Sequence, residues 1–360
     1  MPKPPADRIP RVEPALRRAL AAERVPRLQP TGAAPPAGGA AMIRRRHAAV
    51  PLLALLPAPA RAQERYSSRP ITLIVPYPPG GTTDNASRPV AQKLGEALGQ
   101  PVVIENRGGA GGSVGAGLVA QAKPDGYTLL AFPTAVLTIS PHMLALPYDA
   151  GRAFVPIAML CFGDAPVAMH PSVPVRGLRD LIAYAKASPT PLRFSSAGNG
   201  TITQMTGELF AEAAGIRLEH VPYRGSAPAL TDLLAGRVQL QFDPVATPAV
   251  KDGRLVGLAV VGDRRSAELP DLPTLKELGL GGDEGLAYFG LAAPAGTPPE
   301  VVERLVAALR PVLDMPEVAR AMAPVGLRPN FEAGAAFAER LRRDREVFGA
   351  AVRRTGAKAE

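Results

Sequence analysis

Hydrophobic residues alternate along most of the chain between short continuous runs and helically spaced positions. Residues 71–75, Ile-Thr-Leu-Ile-Val, form a run typical of a buried strand. Val90, Leu94 and Leu98 follow at i, i+4 and i+8, which places them on one face of a helix. Strand-like runs that alternate with helical stretches predict parallel α/β layers.

The alternation occurs in two successive blocks and ends with a strand at 288–293 and a mostly helical tail from Pro298. A late strand and helices without a sheet of their own must pack on an earlier sheet. We therefore expect an α/β protein with two Rossmann-like lobes, joined by two crossover segments with a cleft between them. The predicted lobes are 63–164 plus 288–360, and 165–287.

The stretch before the first strand has the features of an export signal. Residues 42–47 form a positively charged stretch, residues 48–58 form a short apolar stretch, and Ala60-Arg61-Ala62 fits an A-x-A cleavage site. The sequence therefore predicts a signal peptide at 42–62, cleaved near Ala62/Gln63. An anchor that stays attached is the alternative.

The signal begins with its own methionine, Met42. We expect residues 1–41, which are rich in Pro, Ala and Arg, to be untranslated or disordered. Arg44-Arg45 leaves a twin-arginine export route open beside the general one.

The basic charge of the chain belongs to this leader. The formal net charge is +9, but residues 1–62 hold eleven Lys/Arg and three Asp/Glu, which leaves 30 basic and 29 acidic residues for 63–360. A body with a net charge of +1 offers no broad electrostatic surface for nucleic acid. No uninterrupted apolar stretch reaches the roughly 18 residues of a membrane-spanning helix.

Cysteine and histidine usage gives no sign of a metal or redox site. Cys161 is the single cysteine and lies in an apolar run, so we expect a buried structural thiol and no internal disulfide. His142, His170 and His220 are scattered without metal-ligand spacing. We expect neither a cofactor nor a metal.

The loop after the first strand is a candidate anion site. Gly80 and Gly81 let the backbone approach a ligand closely, and Thr82, Thr83 and Asp84 are natural N-cap residues for the helix that follows. The amides of such a helix start favour anions. A plain capped turn is the alternative.

A second loop has the same character. Residues 194–201, Phe-Ser-Ser-Ala-Gly-Asn-Gly-Thr, join a strand to a helix and offer hydroxyls and backbone donors. Asp243 ends another strand and can accept from a ligand hydroxyl or ammonium, or serve as a turn residue. Arg224 can reach a carboxylate or remain solvated.

One catalytic motif needs weighing. Residues 111–115, Gly-Gly-Ser-Val-Gly, match the G-x-S-x-G elbow of α/β hydrolases. The elbow requires Ser113 directly on a strand-to-helix turn, yet the preceding strand is predicted to end near Asn106. An exported hydrolase using Ser113 is the alternative to a binding protein, and no paired general acid and base is visible.

Several motifs together resemble one protein family. They stand in order at 69–84, 103–112, 124–129, 221–225 and 242–243. This series resembles the substrate-binding receptors of tripartite tricarboxylate transporters, the Bug-type receptors, over about residues 67–355. Gln239 departs from the resemblance, because the family more often has an acidic residue near that position.

The resemblance implies a periplasmic-binding-protein type II-like fold and a periplasmic, non-enzymatic receptor. It implies capture of a small carboxylate of unspecified identity and delivery to membrane permease subunits, with no nucleic acid; we expect a monomer. A binding lobe that serves signalling is a further possibility. The ligand contacts that it implies are Tyr77, Pro79, Gly80, Gly81, Thr82, Thr83, Asp84, Thr134, Ser196, Ala197, Gly198, Asn199, Thr201 and Asp243.

Overall fold

A computed structural model describes residues 66–281 and 286–358. The predicted extension 1–41 and signal peptide 42–62 lie outside the described residues. The strands are β1 Ile71–Val75, β2 Val102–Asn106, β3 Thr128–Pro133, β4 Phe154–Gly163, β5 Ala165–Met169, β6 Leu192–Ser196, β7 Leu218–Pro222, β8 Leu240–Phe242, β9 Val256–Val261, β10 Ala287–Pro294 and β11 Leu327–Ala333. The α-helices are α1 Thr82–Leu98, α2 Ser113–Ala120, α3 Ala135–Thr138, α4 Ser140–Met143, α5 Leu178–Ala187, α6 Ile202–Ala214, α7 Ser226–Leu234, α8 Thr247–Lys251, α9 Pro299–Leu313, α10 Pro316–Met322 and α11 Gly334–Thr355.

Six strands form the first sheet, sheet A, in the order β11-β4-β10-β3-β1-β2. β1 lies parallel to β2 and β3, whereas β10 is antiparallel to both β3 and β4. Every residue of β10 is buried, as expected for a strand inside a sheet covered on both faces. The helical face Val90, Leu94 and Leu98 packs into the same core as this sheet.

Five strands form the second sheet, sheet B, in the order β7-β6-β8-β5-β9. β6 lies parallel to β7 and β8, so the carboxyl ends of these three strands lie at one edge. Phe194, Leu240 and Phe242 are buried in its core against Phe210 of α6.

Two connections run between the sheets. β4 ends at Gly163 and β5 begins at Ala165, so the first connection is Asp164. The second runs from the end of β9 to the start of β10. Arg328 of β11 pairs with Asp164 on the first connection at 3.1 Å and with Asp263 on the second at 2.5 Å. One guanidinium therefore ties both connections to sheet A.

The return of the chain to the first sheet agrees with the expectation for the late strand. The exact lobe limits stay a prediction, since Ala62–Glu360 forms one unit by its contacts. The expectation of a mostly helical tail is wrong in one place. The tail contains β11, which pairs with β4 and forms the edge strand of sheet A. Its pairing shifts register between Pro329 and Glu332, and a proline inside a strand is typical of such an edge.

None of the helices in the described ranges combines the length and apolar character needed to cross a membrane.

Candidate ligand-binding site

The carboxyl ends of strands from both sheets meet at one place. α1 follows β1 in sheet A, while α6, α7 and Asp243 follow β6, β7 and β8 in sheet B. The hydroxyl of Thr82, at the start of α1, donates to the carboxylate of Asp243. This bond joins the start of α1, behind β1 of sheet A, to the residue that follows β8 of sheet B.

A cavity of about 30 Å³ lies at this meeting point. Half of the sequence-predicted site residues line it, and other residues from both sheets complete the wall. The lining residues are Tyr77, Gly81, Thr82, Thr83, Pro133, Ala197, Thr201, Ile202, Thr203, Ser226, Asp243, Pro244, Ala287 and Phe289.

Three helices begin at the cavity wall. Thr82 and Thr83 open α1, Ile202 and Thr203 open α6, and Ser226 opens α7. The first amides of a helix have no partner inside the helix, and its N-terminus carries a partial positive charge. None of the described residues that line the cavity is Lys, Arg or His. Backbone dipoles and hydroxyls therefore supply the positive potential.

Asp243 is the single acid in the cavity wall. It is 1% exposed, and its carboxylate accepts from the hydroxyl of Ser226 at 2.5 Å and from the amide of Val245 at 3.1 Å, besides Thr82. Burial raises the pKa of Asp243, although the hydrogen bonds from Ser226, Thr82 and Val245 oppose that rise. The carboxylate links three elements around the cavity.

The amides of the second glycine loop are hydrogen-bonded within the protein, and the ligand contacts expected for this loop, Gly198 and Asn199 among them, stay predictions. The amides of Ala197, Gly198 and Gly200 donate to Thr203, Ser196 and Gln204 at 2.9, 3.1 and 2.8 Å. These bonds build the loop instead of facing the cavity. The first amides of α1, α6 and α7 have no partner within their helices and are the candidate donors for a ligand.

Asp84 also serves the loop. Its carboxylate accepts from the amide of Gly80 at 2.9 Å, from Asn106 at 2.9 Å and from Arg88 at 2.7 Å. Burial acts to raise the pKa of Asp84, but the donors outweigh it and hold the pKa below its usual range. Asp84 is absent from the cavity wall, as is Pro79, so both stay predictions as ligand contacts.

Thr134 and Ser196 are absent from the cavity wall and stay predictions as ligand contacts. The hydroxyl of Thr134 donates to the carbonyl of Tyr288 and accepts from its amide, at 2.9 and 2.8 Å. Ser196 hydrogen-bonds His220 Nε2 at 2.6 Å, and burial lowers the pKa of His220 to about 4. His220 is therefore neutral near pH 7 and supports the loop through its hydrogen bond with Ser196.

Loops that follow strands of the two sheets approach each other closely beside the site. A Cβ built on Gly111 would lie 2.2 Å from the carbonyl oxygen of Asn199, and one on Gly225 would lie 2.9 Å from Pro78. Gly111 has a φ of 62° and its carbonyl accepts from the hydroxyl of Tyr77 at 2.6 Å. The structure is thus closed at this edge, with glycine at each close approach.

Sequence reasoning missed Ser226, which donates to Asp243. Its signal was available in the position itself, one residue after Tyr223-Arg224-Gly225 and at the start of a helix. Pro133, Pro244, Ala287 and Phe289 also line the cavity. These apolar residues form its wall, and nothing in the local pattern distinguished them from core.

The serine of the hydrolase-like motif, Ser113, is hydrogen-bonded at the start of a helix. Ser113 opens α2 after a short 3-10 helix, and its hydroxyl donates to the carbonyl of Ala110 at 2.8 Å. The preceding strand ends at Asn106, so Ser113 does not sit on a strand-to-helix elbow. Among the described residues, no group of three metal-ligating side chains is close enough to hold an ion.

Solved proteins show the same architecture. The periplasmic binding protein BugD superposes with a TM-score of 0.77 at 31% identity, covering 82% of this chain and 100% of BugD. A protein of R. palustris solved with adipate gives 0.77 at 31% identity, over 81% and 99%. MatC from Rhodopseudomonas palustris with bound malate gives 0.72 at 28% identity, over 80% and 100%. These matches confirm the predicted fold class.

The family model of the tripartite tricarboxylate transporter family receptors matches residues 86–345. This range includes α6, α7 and Asp243, and most of both sheets. The chain therefore belongs to the tripartite tricarboxylate transporter receptor family.

Proposed function

We propose that this protein is a periplasmic receptor that captures a small carboxylate between its two sheets and delivers it to the membrane permease of a tripartite transporter. The observation that carries the proposal is the convergence of three helix N-termini on one cavity. Such ends hold anions through amides and dipoles without a basic side chain. Relatives solved with adipate and malate support a carboxylate as the ligand class.

Capture requires that the two sheets separate. The cavity of about 30 Å³ is far smaller than a typical ligand pocket of roughly 300–1,000 Å³. Even a four-carbon diacid needs several times that space. The connections at Asp164 and after β9 are the places where such a movement can occur. Closure around the ligand then replaces contacts across the cavity with contacts to the acid, while the close approach of Gly111 to Asn199 forms again.

The same groups support the proposal of binding without catalysis. The hydroxyls of Thr82 and Ser226 are engaged by Asp243, and Ser113 is bonded to a carbonyl. A nucleophile would need a base within hydrogen-bond reach and a third group to orient that base. Ser196 has His220 at 2.6 Å, but neither residue lines the cavity. The site instead provides donors for a bound anion, which suits reversible capture.

The experiment is a calorimetric screen of protein beginning at Gln63 against aliphatic mono-, di- and tricarboxylates and aromatic acids. We expect at least one acid to bind with a Kd near the micromolar range, equal to about −8 kcal/mol, and its amide derivative not to bind. Binding of neutral sugars with no binding of any acid would contradict the proposal.

Delivery to a permease is tested separately. Deletion of the gene should abolish uptake of the radiolabelled acid that the screen identifies, and the wild-type gene should restore it. Uptake that is unchanged in the deletion strain, with capture intact in vitro, would favour a signalling role instead.

A further inference from the structure

We infer that Asp243 selects the ligand: its buried carboxylate takes a ligand group that donates a hydrogen bond, so that the receptor favours a hydroxy- or amino-carboxylate over an unsubstituted dicarboxylate. The inference rests on the proposed function, because it concerns the same cavity. It adds the chemical class of the acid.

The acceptor geometry of Asp243 carries the first step. Its Oδ1 accepts from the Thr82 hydroxyl and from the amide of Val245, while its Oδ2 accepts from the Ser226 hydroxyl. An ionised carboxylate offers about two acceptor positions on each oxygen. Within the described residues, Oδ2 therefore retains one position, and Asp243 lines the cavity. A ligand hydroxyl or ammonium fits that position.

The charge around the cavity carries the second step. The described lining residues hold one acid, Asp243, and no basic side chain. A second anionic group beside Asp243 would place two like charges in a buried space, which is unfavourable. The helix starts at Thr82 and Ile202 can hold one carboxylate. The part of the ligand that faces Asp243 should then be a donor.

The two relatives solved with acids illustrate the choice. Adipate carries carboxylates alone, whereas malate carries a hydroxyl beside its carboxylate. From the hydrogen bonds and charge around Asp243, we expect the second type of ligand for this chain.

The test uses acids matched in length: succinate, malate and aspartate; glutarate, 2-hydroxyglutarate and glutamate; adipate, 2-hydroxyadipate and 2-aminoadipate. Calorimetry gives Kd for each with wild-type protein and with Asp243→Asn. In the wild type, the hydroxy or amino acid of a set should bind about tenfold to a hundredfold tighter than the plain diacid. In Asp243→Asn the new amide donates, so the preference should vanish or reverse.

Asp344→Asn is the matched control. Asp344 accepts from the hydroxyl of Tyr288 at 2.8 Å and does not line the cavity, so its substitution should leave the preference unchanged. Ser226→Ala is a second variant in case Asp243→Asn does not fold. It removes one donor to Oδ2 and should keep or increase the preference for donor-bearing acids.

The outcomes separate this inference from the proposed function. An equal preference in wild type and Asp243→Asn, with carboxylates still bound, overturns the role of Asp243 alone. A plain diacid that binds tightest to the wild type does the same, and so does loss of the preference in Ser226→Ala. If no acid of the screen binds at any length, the proposed function itself fails.

Discussion

The close approach of Gly111 to Asn199 makes closure testable by one methyl group. In Gly111→Ala, the new Cβ would lie 2.2 Å from the carbonyl oxygen of Asn199, whereas ordinary contact begins at 3.4 Å. The two backbones must therefore separate by roughly 1 Å, which forfeits much of their packing. Gly111 has a φ of 62°, so alanine also meets backbone strain of about 1–2 kcal/mol.

Gly99→Ala is the control variant, because it introduces a similar backbone strain without a close contact. Gly99 has a φ of 71° at the end of α1, and a Cβ there would have no neighbour within 4 Å. Both variants should lower Tm by a few degrees, because 1 kcal/mol corresponds to about 2–4 °C in a chain of this order of size. Only Gly111→Ala should impair closure.

The assay is calorimetry with the tightest-binding acid, combined with small-angle scattering of the ligand-free protein. We expect Kd to rise at least about tenfold in Gly111→Ala, a cost of about 1.4 kcal/mol, and to stay unchanged in Gly99→Ala. The radius of gyration without ligand should be larger in Gly111→Ala than in Gly99→Ala. Equal affinities in the two variants would refute the view that binding requires closure at this contact.

Three further outcomes follow from single positions. Gly81→Val should abolish carboxylate binding with little change in Tm. Gly81 has an extended backbone, and a Cβ there would lie 3.7 Å from the Cβ of the lining residue Ser226, so the two further methyls of valine should occupy space that a ligand needs. Calorimetry beside Gly81→Ala checks this, and retained affinity would contradict it. Burial lowers the pKa of His220 from 6.5 to about 4, so the free energy of unfolding should fall as the pH drops from 6.5 towards 4. Denaturant titrations at several pH values measure this dependence, and His220→Gln should remove it. Ser113→Ala should leave carboxylate affinity intact, and ester hydrolysis that disappears in this variant would instead support the hydrolase alternative.

Much of the fold is predictable because its strands and helices differ in period. The buried run at β1 and the helical face of α1 need no tertiary information. β11 was missed because it lies at a sheet edge, carries Pro329 and shifts register, so it has no clear alternation. Its strand character comes from pairing with β4, which the local sequence does not encode.

The site was predictable at the level of its loops and less so at the level of its atoms. Strand ends and glycines located Thr82, Ala197 and Asp243 at the cavity. The pattern could not tell which hydroxyls and amides the protein uses internally. Asp84 and Thr134 are polar residues in the right loops, yet their groups bond Arg88, Asn106 and the backbone of Tyr288.

On the proposed function, that internal bonding explains how a site with so few charged groups can hold an acid. Asp84 fixes the Gly80 amide, and Ser196, Thr203 and Gln204 fix the amides of the second loop. The loops are therefore ordered before a ligand arrives, so binding loses little conformational entropy in them. Side chains that look like ligand contacts hold the backbone in place, and the helix starts that they position supply the donors. If the protein binds as proposed, affinity depends on closure and on Asp243, so Gly111 and this carboxylate are the two places to perturb.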